Sequence, residues 1–85
     1  MRVDVRLFAR LRELAGCESW SCEVPAGASI QDVWRALADR FPDVAPFGRS
    51  ISCARNQDFA RMTTAVGEGD EIAFLPPVSG GETTR

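Results

Sequence analysis

The stretch Gly69-Asp-Glu-Ile-Ala-Phe-Leu-Pro-Pro-Val-Ser-Gly-Gly81, near the end of the 85-residue chain, decides how the rest is read. It passes from a turn, through one apolar strand, into a proline pair and a glycine pair. Between Glu71 and Leu75, Ile72 and Phe74 fall on one side and Glu71, Ala73 and Leu75 on the other, the period of a strand with one face in a core. Pro76 and Pro77 remove two amide donors and bias Leu75 to an extended backbone, so a sheet ladder stops there. Residues 76–81 then form an arm that spans at most about 20 Å when stretched. Gly80 and Gly81 have no side chains, which leaves the arm's end thin enough to thread a narrow channel. Such an arm suits delivery of a group carried at its tip.

Working back to the start, Arg2 to Phe8 reads as a strand with Val3, Val5 and Leu7 on one face and Arg2, Asp4, Arg6 and Phe8 on the other. Phe8 is the one aromatic on an otherwise charged face. Ala9 to Ala15 fits one or two helical turns stopped by Gly16. Ser19 to Val24 alternates again, with Trp20, Cys22 and Val24 inward, and Pro25-Ala-Gly27 closes it. Ser29 opens the clearest helix, with Asp32 completing a weaker form of the capping box. Ile30, Val33, Trp34, Leu37, Ala38 and Phe41 form its apolar stripe, and Pro42 ends it. Asp43 to Ser50 reads as a loop, Ile51 to Arg55 as a short strand, and Asn56-Gln57-Asp58 as a turn before a short segment at Phe59. Met62 to Val66 is ambiguous, and Gly67-Glu-Gly-Asp70 is a tight turn. Pattern alone predicts a small α+β sheet with one main helix on one face and the first and last strands parallel at the centre.

Composition sets the outer bounds. The length suits one domain with a modest core. No run approaches the ~20 apolar residues of a membrane span, and Met1-Arg-Val-Asp-Val-Arg alternates as a strand, not as a signal peptide. A net charge of −2 gives no nucleic-acid footprint. Cytoplasm is the expected compartment, with neither nucleic acid nor membrane as partner. All ten basic residues are arginine, so lysine-linked chains cannot be built on this protein; compositional drift accounts for that without selection. Histidine is absent, and the three cysteines, Cys17, Cys22 and Cys53, have no C-x-x-C spacing. Cys22 and Cys53 read as small buried hydrophobes and Cys17 as a loop residue.

No self-contained active site can be assembled from these residues. Asp70 and Glu71 are adjacent carboxylates that point apart, which reads as a solvated turn. Gly67-x-Gly69 precedes no helix and is not a phosphate loop. No metal set exists and no bound cofactor is expected. A carrier or binding module therefore fits better than an enzyme. Phe8 and Leu75 are placed at outward positions on neighbouring strands, with Phe59 near them; together they read as a docking patch at the root of the arm, although any one alone would be an ordinary exposed apolar residue.

The run Gly69-Asp70-Glu71 followed by Phe74-Leu75-Pro76-Pro77-Val78-Ser79-Gly80-Gly81, with Val3 to Ala9, Arg12-Glu13, Gly16 and Asn56, resembles the small subunit of molybdopterin synthase, one of the ubiquitin-like β-grasp sulfur carriers. The resemblance covers nearly the whole chain. It implies a β-grasp domain over residues 1–75, with a mixed sheet of about five strands, and an extended tail over 76–85. It implies that Gly81, presented next to Gly80, is adenylated with ATP by a ubiquitin-activating-like enzyme and converted to a thiocarboxylate. It further implies that Phe8, Phe59, Leu75, Pro76, Pro77, Val78 and Ser79 meet the large subunit, in a heterotetramer, where the sulfur passes to the dithiolene of molybdopterin. The chain departs from the family in continuing past its glycine pair with Glu82-Thr83-Thr84-Arg85. The chemistry needs a free carboxylate on Gly81, so removal of residues 82–85 is expected. Alternatives within the fold are a carrier for thiazole or cysteine synthesis and a ubiquitin-like protein modifier; a non-delivering interaction module is a third class.

Overall fold

Val3, Val5 and Leu7 are buried while Arg2, Asp4 and Arg6 are exposed, as the alternation of the first strand requires. The computed structural model describes residues 1–77. Its elements are β1 (Arg2–Leu7), α1 (Ala9–Ala15), β2 (Ser19–Glu23), α2 (Ile30–Arg40), a 3₁₀ helix (Pro42–Phe47), β3 (Ser52–Arg55), β4 (Asp58–Ala60) and β5 (Glu71–Leu75). They form one five-stranded sheet in the order β2-β1-β5-β3-β4. β1 and β5 are parallel, and every other neighbouring pair is antiparallel. Helix α2 covers one face, which gives the β-grasp arrangement that the resemblance implies.

The core forms where the stripes meet. Ile72 and Phe74 of β5 and Ile30, Val33, Trp34 and Leu37 of α2 are all buried. The Trp34 and Phe74 rings meet edge to face, 5.0 Å between centroids, a preferred aromatic geometry. Trp20 is only half-buried and packs edge-on against Phe41 at 5.7 Å, closing the β2 side of the core. The N-terminus of α2 leaves backbone donors without helical partners. Asp32 N–H donates to Ser29 Oγ, and Ser29 N–H donates to Asp32 Oδ2 at 2.9 Å, so the capping box is complete. Ile30 and Gln31 N–H donate to the carbonyls of Thr64 and Met62 at 2.9 and 2.8 Å. The ambiguous segment from Met62 to Val66 is therefore a strap that finishes the helix cap, bridged to Ser29 through Ala65.

Three local expectations change. β1 ends at Leu7, and Phe8 stands in extended backbone as the N-cap of α1, its carbonyl accepting from Leu11 N–H. The expected loop from Asp43 to Ser50 begins instead within a 3₁₀ helix, Pro42–Phe47. Pro42 supplies a preset φ at its start, and the three-residue repeat puts Val44, fully buried, and the partly buried Phe47 on the same side, against the core. Asp70 is not in a solvated turn. It is the one buried charged residue among those described.

Candidate functional site

The face of the sheet opposite α2 carries the candidate site. Strand register places Ser19, Arg6, Ala73, Ala54 and Phe59 in one row across all five strands. The two alanines make a low floor near the centre of that row. Phe8 and Phe59, 44% and 81% exposed, are the exposed large hydrophobic residues among those described. Together with Leu75 they line a shallow cleft of about 400 Å³, whose remaining lining is Arg6, Ala54, Gln57, Glu71 and Ala73. Phe8, Phe59 and Leu75, read together from the sequence as one apolar patch, line one concavity.

Each wall has a local cause. Phe8 lies just beyond the end of β1, where β1 runs parallel to β5 with Leu7 opposite Phe74. Ala9 follows at φ +51°, a left-handed turn that starts α1 directly after Phe8. Leu75 pairs with Ser52 at the end of β5. Phe59 stands opposite Ala54 in a hairpin whose two loop residues, Asn56 and Gln57, have φ of +50° and +75°. Positive φ at both loop residues matches the right-handed twist of the flanking strands, and asparagine tolerates it well.

Polar groups frame the apolar floor. Arg6 Nη1 lies 3.0 Å from Glu71 Oε2 on the open face. Behind the hairpin, Asp70 Oδ2 accepts from Arg55 Nε at 2.6 Å and from Gly67 N–H at 2.6 Å, while Oδ1 accepts from Asn56 Nδ2 at 3.0 Å. The Arg55 hydrogen bond holds the Asp70 carboxyl below its ordinary range; burial opposes this, and Asn56 and Gly67 add to it. Asn56 also exchanges bonds with Glu71, donating its N–H to the carbonyl and accepting Glu71 N–H on Oδ1, at 2.8 and 2.9 Å.

Cys22 and Cys53 are buried, and desolvation pushes both thiols up. Their Sγ atoms donate to the carbonyls of Glu23 and Ala60. Cys17 is half-buried. Among the described residues no group of His, Cys, Asp and Glu is placed to hold a metal, and no helix is long and apolar enough to cross a membrane. Pro76 is half-buried and Pro77 exposed, directly after Leu75. Val78, Ser79, Gly80 and Gly81 lie outside the described residues.

Sequence reasoning missed Ala54 as part of the floor and Asp70 as a hub. Ala54 reaches the cleft only through its pairing with Ala73 and Phe59, which no local pattern encodes. The signal for Asp70 was Asn56 with Arg55 beside it, two donors in a turn whose acceptor is distant in sequence.

Comparison with known proteins follows the same outline. The sequence pattern of the ThiS family matches residues 5–81, ending at Gly81. The molybdopterin synthase sulfur carrier subunit of Arabidopsis thaliana is 32% identical over 81 residues, covering 95% of this chain and 84% of that one. The crystal structure of SAMP1 from Haloferax volcanii superposes with a TM-score of 0.84 at 32% identity, over 95% of this chain and all of that one. A subunit in the complex of subunits 1 and 2 of the molybdopterin-converting factor of Helicobacter pylori 26695 superposes with a TM-score of 0.68 at 26% identity, over 95% of this chain and 100% of its own.

Proposed function

This chain belongs to the ThiS family, and we propose that within it the protein is the sulfur-carrying small subunit of a molybdopterin synthase. Gly81, once its carboxylate is free, reacts with ATP on a ubiquitin-activating-like enzyme to give the acyl-adenylate and pyrophosphate. Sulfide-level sulfur from a separate donor then displaces AMP to leave the thiocarboxylate. The large subunit then receives the tail, and the sulfur passes to the dithiolene of molybdopterin. The protein supplies the arm and the docking surface and holds no cofactor of its own. Catalysis belongs to the two partners, one of which joins it in a heterotetramer, and the cytoplasm is its compartment.

The observation that supports this reading is where the cleft lies. Phe8, Phe59 and Leu75 surround it, and Leu75 is followed in sequence by Pro76, Pro77 and the run to Gly81. A partner that covers the cleft is held at the root of the arm. Burying one such side chain contributes about 1.5–3 kcal/mol. The family match ends at Gly81, which supports removal of residues 82–85 before activation. Reconstitution tests the assignment: the chain ending at Gly81, its activating enzyme, ATP, a sulfur donor, the large subunit and the cyclic pterin precursor should yield molybdopterin. Sulfur transfer only to a thiazole or cysteine precursor would assign it to a different pathway.

One observation favours a second reading, a protein modifier. The small archaeal modifier protein 1 of Haloferax volcanii is 36% identical over 87 residues, above the 32% of the Arabidopsis sulfur carrier subunit, and SAMP1 superposes with a TM-score of 0.84. Purification of the tagged chain from its own cells under denaturing conditions separates the two, because a modifier appears as a ladder of conjugates.

A further inference from the structure

We infer that Asp70 is the positioning residue of the cleft: its carboxylate ties the β3–β4 hairpin, and with it Phe59, to the turn that opens β5. The inference rests on the proposed reading of the cleft as a docking surface. β4 is three residues long and lies at the sheet's edge, paired only to β3. It nevertheless carries Phe59, the most exposed of the large apolar residues described and the far wall of the cleft. A short edge strand has few bonds of its own to keep that wall in place.

Asp70 supplies the missing constraint. Its three donors come from two separate places: Arg55 and Asn56 at the tip of the hairpin, and Gly67 in the turn before β5. The second link is Asn56, whose backbone and side chain both bond Glu71, itself a lining residue. Ala54, opposite Phe59, is the neighbour of Arg55 in β3. The hairpin tip is thus held to the sheet at the residues next to those that set the cleft's width. Only an acceptor fits at position 70, because all three partners are donors. An amide there turns its NH₂ group towards at least one of them.

The test uses the purified chain and the large subunit of the synthase from the same organism. In Asp70→Asn, backbone amides of the β3–β4 ladder should exchange with solvent at least about tenfold faster relative to those of β1 and β2. Association with the large subunit should weaken about fivefold or more, and this loss should vanish when Phe59 is already alanine, since the effect runs through Phe59. Asn56→Gly keeps the positive φ but removes the side-chain bonds, and should give the same local exchange and the same coupling; it serves if Asp70→Asn does not fold. Uniformly faster exchange over the whole sheet, or an equal loss of association with and without Phe59, overturns the inference. Local loosening in the free chain combined with unchanged association of Phe59→Ala instead refutes the docking cleft and upholds the tie between Asp70 and the hairpin.

Discussion

Arg55 Nε lies 2.6 Å from Asp70 Oδ2, and this pair joins the end of β3 to the turn before β5 across fifteen positions of sequence. Asp70 is largely covered and Arg55 is 42% exposed along its side chain, so solvent screens the pair from the Arg55 side.

The first consequence is acid sensitivity. With its pKa lowered from 3.8, chiefly by the Arg55 hydrogen bond, Asp70 binds a proton less readily in the folded chain than in the unfolded one. Its contribution is therefore fully present above the unfolded carboxylate's pKa and fades as the pH falls through the lower folded value. At neutral pH Asp70→Asn should be less stable by about 1–3 kcal/mol, discounted for the exposure of Arg55. Denaturant titrations from neutral pH to below about pH 4 should show a weaker loss of stability in the variant than in the parent. Identical acid slopes in both would contradict this assignment.

A second prediction concerns the packing of α2 on the 3₁₀ segment. A Cβ added at Gly48 would lie 3.0 Å from Trp34 Nε1, closer than carbon and nitrogen pack without displacement. Gly48→Ala should therefore destabilise the fold by about 1–3 kcal/mol, the cost of overpacking. Trp34→Ala should cost about 3–5 kcal/mol, most of the stability of a domain this size. Thermal unfolding of both variants checks the order; a neutral Gly48→Ala would mean that the indole shifts freely.

Leu75 separates docking from folding. It is half-buried at the end of β5 and lines the cleft, whereas its neighbour Phe74 is fully buried. Leu75→Asp should weaken association with the large subunit by roughly one to two decades while the isolated chain still unfolds cooperatively. Titration calorimetry and a denaturation curve on the same preparation decide it. Loss of the cooperative transition would show that Leu75 belongs to the core.

Much of this was legible in the residues. The period of two placed Val3, Val5, Leu7, Ile72 and Phe74 inside and Ala73 and Leu75 outside; the stripe from Ile30 to Phe41 and the Ser29–Asp32 cap placed α2. These signals are local, set by side-chain periodicity within one element. What escaped depends on distant partners. Asp70 looked solvated because a charged residue in a glycine turn normally is, and its acceptor role appears only when Arg55 and Asn56 are folded against it. The segment from Asp43 to Ser50 looked like a loop because of Pro46 and Gly48, yet Pro42–Phe47 winds as a 3₁₀ helix that buries Val44. Ala54 joined the cleft through register alone.

The central claim is that Gly81, with a free carboxylate, is the working end. While Gly81 is bonded to Glu82 its carbonyl is an amide, and the further four residues add up to about 14 Å of extended chain. Two of them, Glu82 and Arg85, carry charges that are costly to place unpaired in a site shaped for glycine. The most direct measurement is the intact mass of two forms, the full chain and one ending at Gly81, after incubation with the activating enzyme, ATP and a sulfur donor. The account predicts that only the form ending at Gly81 gains the mass of one sulfur replacing one oxygen. The same exchange on a full-length chain whose residues 82–85 remain attached would contradict it.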